Sequence, residues 1–301
     1  MQKLLEKFIN LLLFGNFWIA ACAVALTWQT EFLLYREIAW TKLTTFVFLA
    51  TLFLYAIHRI VGLVKVKPFL EKYRYTIIYT FRNHIKVYAI IGGIGAIYFF
   101  FFLSLANQLL LIVPTILSLG YVLPFVKGSK RLRDFDYIKI FLIAIVWGVI
   151  TVLMPILQRT TTFILPHFLV LLERMLFIFA ITLPFDIRDL KIDAHINVKT
   201  IPATIGIPRT QRLAYRCLWF AFFLATINWN TGFYTTGALI GLLIAFLISA
   251  KLIQQSDKTD ADYFFTGLLD GTMIFQFLIL YLLSNLPVSY THLTLPTIYS
   301  V

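Results

Sequence analysis

Residues 162–193 read TFILPHFLVLLERMLFIFAITLPFDIRDLKID. The first two thirds form an apolar run of the ~20 residues a helix needs to cross a bilayer. The run then ends in three aspartates, Asp186, Asp189 and Asp193, interleaved with Arg188 and Lys191. An unbroken run of this length predicts a helix, because a strand of a membrane barrel would be shorter and would alternate polar with apolar residues. The same window finds runs near 8–29, 43–64, 86–105, 107–126, 137–157, 213–230, 232–250 and 264–286. Together with 162–184 they predict about nine spanning helices. The expected fold class is all-α and integral to the membrane, a single bundle with no soluble domain.

Composition agrees. Of 301 residues, 60% are hydrophobic and 13% charged, a balance that soluble domains do not have. The net charge of +12 does not indicate nucleic-acid binding, because the basic residues lie between apolar runs instead of on one soluble face. With the N-terminus inside, 22 lysines and arginines fall in inner segments and 3 in outer connections. That bias orients the N-terminus to the cytoplasm, as in a bacterial inner-membrane protein. The inner connections, about His58–His84, Lys127–Asp136, Asp186–Arg212 and Lys251–Asp262, are also the long ones, so polar chemistry is expected on that side.

Three features are set apart from the fold. Cys22 and Cys217 sit in apolar runs without metal-type spacing and read as packing residues. Ile19-Ala20-Ala21-Cys22, preceded by Lys3 and Lys7, has the look of a lipoprotein cleavage box; with eight more runs downstream it reads as an uncleaved first helix. The stretch VSYTHLTLPT at 288–297 resembles a translated sequencing adapter. The membrane domain is therefore expected to cover 1–286, with 287–301 an assembly artefact and His292 without functional weight.

On a continuous helix, steps of three and seven residues from Asp186 rotate by about −60° and −20°, so the three aspartates would share one face. Their repulsion calls for a counter-charge. Mg²⁺ is one candidate, since hard oxygen ligands suit it and it commonly bridges carboxylates to substrate phosphates. A solvated helix end neutralised by its own basic residues is the other. Arg188, Lys191 and Lys199 bracket the acids and are placed to contact diphosphate oxygens.

Pro184 through Gly206, PFDIRDLKIDAHINVKTIPATIG, resembles the second aspartate-rich motif of the UbiA superfamily of intramembrane prenyltransferases. That pattern, D-x-x-D-x-x-x-D followed by K/R-T-[IL]-P and a Gly, is matched by Asp186, Asp189, Asp193, Lys199, Thr200, Pro202 and Gly206. The resemblance implies a nine-helix UbiA-like bundle with Asp186, Asp189 and Asp193 as catalytic metal ligands and Mg²⁺ as cofactor. It also implies a polyprenyl diphosphate donor and a lipid-soluble, aromatic acceptor. Tyr121, Pro124 and Lys127, followed by Lys130 and Arg131, resemble the family's loop after the fourth helix, which adds Lys127 and Arg131 as diphosphate contacts. A basic patch at a membrane surface has the same residues.

One part of the pattern is missing. Where the family carries a first aspartate motif, at the inner end of the second helix, this chain reads LYAIHRIVG at 54–62. Tyr55, His58 and Gly62 stand in place of the acids, so His58 and Arg59 become candidates for direct contact with diphosphate. The expected activity is Mg²⁺-assisted prenyl transfer; the alternative is an inactive relative that binds polyprenyl diphosphate or a quinone-like lipid. A transporter would show repeated halves and broken helices, and the sequence shows no clear repeat.

Glu173, Arg174 and Asp270 lie within apolar runs, where ionisable groups are costly. Structural pairing is expected, Arg174 with Asp270 or Glu173; the competing reading makes one carboxylate a partner for a polar acceptor. Gly92-Gly93-Ile94-Gly95 follows no strand and reads as a close-packing surface, and Phe99–Phe102 as lipid-facing.

Overall fold

Asn16 divides the first apolar run. It adopts φ 71, a left-handed conformation that an asparagine tolerates and that no helix interior contains. The predicted span at 8–29 is therefore two helices, an amphipathic α1 (Gln2–Phe14) and a buried α2 (Phe17–Tyr35). A computed structural model describes residues 2–65, 73–123, 132, 135–195 and 198–286. The segment 287–301 lies outside them, as do Pro124, Lys127, Lys130 and Arg131.

The chain continues through α3 (Lys42–Lys65), α4 (Tyr73–Thr80), α5 (Arg82–Phe100), α6 (Leu105–Leu110), α7 (Ile112–Val122), α8 (Ile138–Gly148) and α9 (Met154–Arg159). It closes with α10 (Leu165–Arg188), α11 (Leu190–His195), α12 (Ile201–Ile205), α13 (Ile207–Asn230), α14 (Thr236–Gln255) and α15 (Asp270–Ser284). No strand forms among the described residues. Among the described residues six helical segments are long and apolar enough to cross a membrane, 17–35, 42–62, 138–159, 165–188, 236–255 and 264–284. The predicted nine therefore stand at six by length and composition. The runs at 86–105 and 213–230 fold as α5 and α13, whose first turns carry Arg82, His84 and Lys86, or Arg209, Arg212 and Arg216. The run at 107–126 is divided between α6 and α7.

Contacts close the helices into a ring. α2 packs on α3, α3 on α5 and α7, α7 on α8, α8 on α10, α10 on α13, α13 on α14, α14 on α15, and α15 back on α2. Small residues set the closest approaches, as expected where lipid offers no hydrophobic drive between helices. A Cβ on Gly241 would lie 2.6 Å from the Leu280 Cα, and one on Gly93 would lie 2.9 Å from the Phe53 ring. The glycine-rich stretch thus serves close packing of α5 on α3. Outward, α5 and α7 present exposed Ile91, Tyr98, Phe101 and Val113, the surface a lipid-facing helix shows.

Two π-helical segments, Val149–Leu153 and Phe264–Leu269, interrupt the long helices. Behind the first comes Pro155, which has no N–H for the Thr151 carbonyl. The Thr30 hydroxyl donates to that carbonyl instead, at 2.7 Å. Behind the second comes Asp270, at the head of α15.

The two ends of the ring differ. At one, short connections are stitched together by Arg159–Glu37 (2.6 Å) and by Arg36 donating to the Phe233 carbonyl (3.0 Å). At the other, Arg59 donates to the Phe14 carbonyl (2.8 Å) and the Tyr137 N–H to the Lys199 carbonyl (3.1 Å). This second end holds the long connections and the aspartates.

Candidate active site

Helix α10 gives out at Asp189, whose φ and ψ of −92° and 6° leave the helix before α11 begins. The three aspartates therefore do not share one helical face, because the continuous helix behind that expectation is broken at its middle member. Asp186 ends α10 with its side chain inward, Asp193 returns on α11, and both meet Lys139 of α8. The Lys139 ammonium lies 2.7 Å from Asp186 Oδ1 and 2.7 Å from Asp193 Oδ2. The three residues are buried, at 7%, 3% and 4% exposure. Asp189 is turned to its neighbour Arg188, which donates to both of its oxygens at 3.0 and 3.2 Å.

Arg188 is itself held in place. Its guanidinium lies over the Phe185 and Phe265 rings and 3.6 Å from Asp262. Planar cations favour such stacked, forked sites.

Above these residues is a chamber of about 290 Å³, in the middle of the ring. α3 contributes Tyr55 and His58, α7 Tyr121, α8 Lys139, α10 Asp186 and Arg188, and α15 Asp270. The His58 and Tyr121 rings are in contact, with centroids 5.6 Å apart. Behind it lies a larger apolar cavity of about 820 Å³, walled by α3, α5, α7 and α8. Leu54, Tyr55, Ser118, Val146 and Trp147 line both spaces, so they share a wall. Ile90, Ile94, Ile97, Ile112 and Ile116 line the large cavity and are also exposed on the outer surface. It therefore opens sideways between α5 and α7, toward where lipid would be. Phe100 belongs to this lining while Phe101 faces out, so the phenylalanine run is divided between cavity and exterior.

Not every predicted residue reaches the chamber. Arg59 is turned to the carbonyls of Leu13 and Phe14, where a cation offsets the C-terminal dipole of α1. Lys191 and Lys199 are exposed and line neither space. Lys127 and Arg131 fall outside the described residues. The Lys199-Thr200-Ile201-Pro202…Gly206 part of the motif has an architectural place. The Lys199 N–H donates to Asp136 Oδ1 (2.8 Å), Tyr137 and Thr204 join hydroxyls (2.8 Å), and Gly206 turns the chain into α13 at φ +81. These contacts fasten the loop to the start of α8 and so hold Lys139 opposite the aspartates.

The buried charges also part company. Asp270 lines the chamber, whereas Glu173 accepts from the Tyr234 hydroxyl (3.0 Å) and Arg174 donates to the Leu26 carbonyl (2.9 Å) and Thr151 Oγ1 (3.2 Å). Of the expected pairings, Arg174 lies close enough to Glu173 for the two charges to act on each other, with no hydrogen bond between them. The Nη1 donors of Arg174 are met by α2 and the π segment instead.

A three-carboxylate metal cage does not fit this arrangement. Lys139 stands between two of the carboxylates and Arg188 engages the third. Among the described residues no group of three His, Cys, Asp or Glu side chains is arranged to hold a metal ion. Lys139 is the site residue that sequence reasoning missed. A lone lysine at the start of an apolar run, facing an acidic motif, was the available signal.

A ring of apolar helices enclosing a mixed-charge chamber and a lipid-side cavity defines a multi-pass membrane protein. The chain matches the model of the UbiA prenyltransferase family over residues 80–282, and it belongs to that family. No curated protein matches it by sequence. Among solved structures, a UbiA homologue from Archaeoglobus fulgidus bound to DMAPP and Mg²⁺ superposes with a TM-score of 0.63 at 10% identity, covering 90% of this chain and 99% of that one. The same homologue bound to Cd²⁺ gives 0.57 at 10% identity, over 89% and 99%. A structure concerned with digeranylgeranylglyceryl phosphate synthase gives 0.58 at 14% identity, over 92% and 98%. At such identities the likeness is one of fold.

Proposed function

We propose that this chain binds a prenyl diphosphate and transfers its prenyl group to a lipid-soluble, aromatic acceptor. The observation that carries this reading is the shared wall. A polar chamber too small for a long lipid adjoins an apolar cavity of about 820 Å³ that opens sideways, which is the shape of a ligand with a charged head and an isoprenoid tail. In the transfer, the allylic C–O bond breaks with its electron pair going to diphosphate, an acceptor ring carbon bonds to the allylic carbon, and the ring then loses its proton to the released diphosphate. Lys139, Arg188 and His58 supply donors where charge gathers on the departing diphosphate. Tyr55, Tyr121 and Trp147 offer ring faces to the allylic cation. Asp270 lines the same chamber and would accept a hydrogen bond from an acceptor hydroxyl. The Mg²⁺ expected from the resemblance, and present in the archaeal homologue, meets Lys139 here, and no step above runs through a metal.

A panel of prenyl diphosphates with mixed aromatic acceptors tests the reading, with diphosphate release measured for protein trimmed at Leu286. Release that requires an acceptor and falls at least ~10-fold in Arg188→Met supports it. No release from any donor refutes transfer.

A second reading has its own observation. α3 presents Tyr55, His58 and Gly62 where the family's acids are expected, so the chain would bind polyprenyl diphosphate or a quinone-like lipid without turnover. Saturable binding of the same panel with no diphosphate release is its signature.

A further inference from the structure

We infer that Lys139 takes the seat of the divalent cation on the second aspartate motif, so that this chamber binds a prenyl diphosphate head group without a metal. The inference rests on the proposed ligand class and adds how its charge is met.

Four observations converge. The Lys139 ammonium bridges Asp186 and Asp193 at 2.7 Å each, the two-carboxylate contact a metal would otherwise make. All three groups are buried, and a metal entering there would have to break the Lys139 bridge to both carboxylates. Asp189, the remaining motif carboxylate, is engaged by both fork nitrogens of Arg188. Among the described residues the α3 wall carries Tyr55 and His58 and no carboxylate, and Asp270 of α15 is the one acid lining the chamber outside the motif, so no second acidic cluster waits there for a bridging ion.

The charges agree with this. The motif's carboxylates are met by cations of the chain itself, Asp186 and Asp193 by Lys139 and Asp189 by Arg188. A lysine also suits the seat: its ammonium is a compact point charge with three donors, two of which the aspartates take. The third, with the guanidinium of Arg188 and the imidazole of His58, is what an anionic oxygen would meet.

The experiment is binding of geranyl S-thiolodiphosphate, a non-reacting prenyl diphosphate, to the purified full chain by calorimetry, in EDTA and then in Mg²⁺. Affinities that agree within about twofold support the inference. Binding at least about tenfold tighter in Mg²⁺ overturns it and leaves the prenyl-diphosphate reading standing. No binding under either condition overturns both. The variant Lys139→Met sharpens the result: it should lose at least about tenfold in EDTA and regain affinity with Mg²⁺, because the freed carboxylates can then take the ion. Lys139→Met binding like wild type in EDTA would overturn the inference. Since that variant leaves two buried aspartates unpaired, Lys139→Arg is the companion, keeping the charge and expected to stay metal-independent. The comparison of wild type in the two buffers needs no variant to fold.

Discussion

The two walls of the chamber carry opposite chemistry. The α10–α11 wall keeps the acidic pattern of the family, with Asp186, Asp189 and Asp193 all at matching positions. Across from it, the α3 wall has kept none of its acids and offers Tyr55 and His58. A wall with all its carboxylates would by itself look like an intact metal site; yet α8 sends Lys139 into it, and α10 folds Arg188 onto the remaining carboxylate. The comparison teaches that the carboxylates of one wall are already met by a lysine and an arginine of the chain itself, while the facing α3 wall brings no acid that would add to the charge to be met.

The largest expected effect comes from breaking the retained wall at its centre. Lys139→Met should destabilise the protein by about 3–5 kcal/mol, the usual cost of leaving buried charges without a partner. Thermal unfolding in detergent checks this, and a shift no larger than that of an exposed Lys251→Met control would show that Lys139 is not the counter-ion. Next comes the asymmetry between carboxylates. Asp186→Asn removes half of a buried bridge and should cost about 3 kcal/mol, whereas Asp189 sits in a partly exposed pair and Asp189→Asn should cost under about 1 kcal/mol. Equal effects, or a larger one at Asp189, would restore the three-carboxylate cage and dissolve the contrast between the walls.

Much of this was legible in the sequence, for identifiable reasons. Helix class followed from run length, and the long connections at one end followed from where lysines and arginines fall. The acidic wall followed from spacing, and the missing acids on α3 from reading 54–62 against the motif. What escaped depends on breaks that hydropathy does not register. The φ of 71 at Asn16 divides a run that reads as one helix, and the helix end at Asp189 sends Asp193 back toward α8. Lys139 was counted with the basic residues of the preceding loop, because charge counting assigns a residue to a side without asking which way its side chain points. Arg59 misled in the reverse sense. Next to His58 it looks like a site cation, but one step of 100° along a helix turns it to α1.

Smaller effects test the α15 and α3 sides of the chamber. Asp270→Asn should keep diphosphate affinity within about twofold and lower turnover by about tenfold, since it faces the chamber as a carboxylate and a hydrogen-bond acceptor for an acceptor hydroxyl. His58→Ala should weaken binding of geranyl S-thiolodiphosphate by about tenfold, the loss of one hydrogen bond to a charged group, with little change in unfolding temperature. Unchanged affinity would leave the α3 wall with no part in head-group recognition, so that the comparison would reduce to one functional wall and one relic.

Arg59 gives the smallest effect and the cleanest separation. Its guanidinium donates to the carbonyls of Leu13 at 3.3 Å and Phe14 at 2.8 Å, closing the end of α1 just before the left-handed Asn16. Arg59→Gln should therefore lower stability by about 0.3–1 kcal/mol, the range for a cation at a helix C-terminus. Affinity for the diphosphate probe should move by less than about twofold, because the charge acts on the chamber only at a distance. His58 and Arg59 are neighbours in sequence, so a mutation of either perturbs the same turn of α3. If affinity falls at His58 and stability at Arg59, side-chain direction divides the roles, and the α3 wall recognises its ligand through one residue of the pair. A tenfold affinity loss at Arg59 would mean that the arginine leaves α1 when ligand enters, and the α3 wall would then be a moving part set against the fixed bridge on the other side.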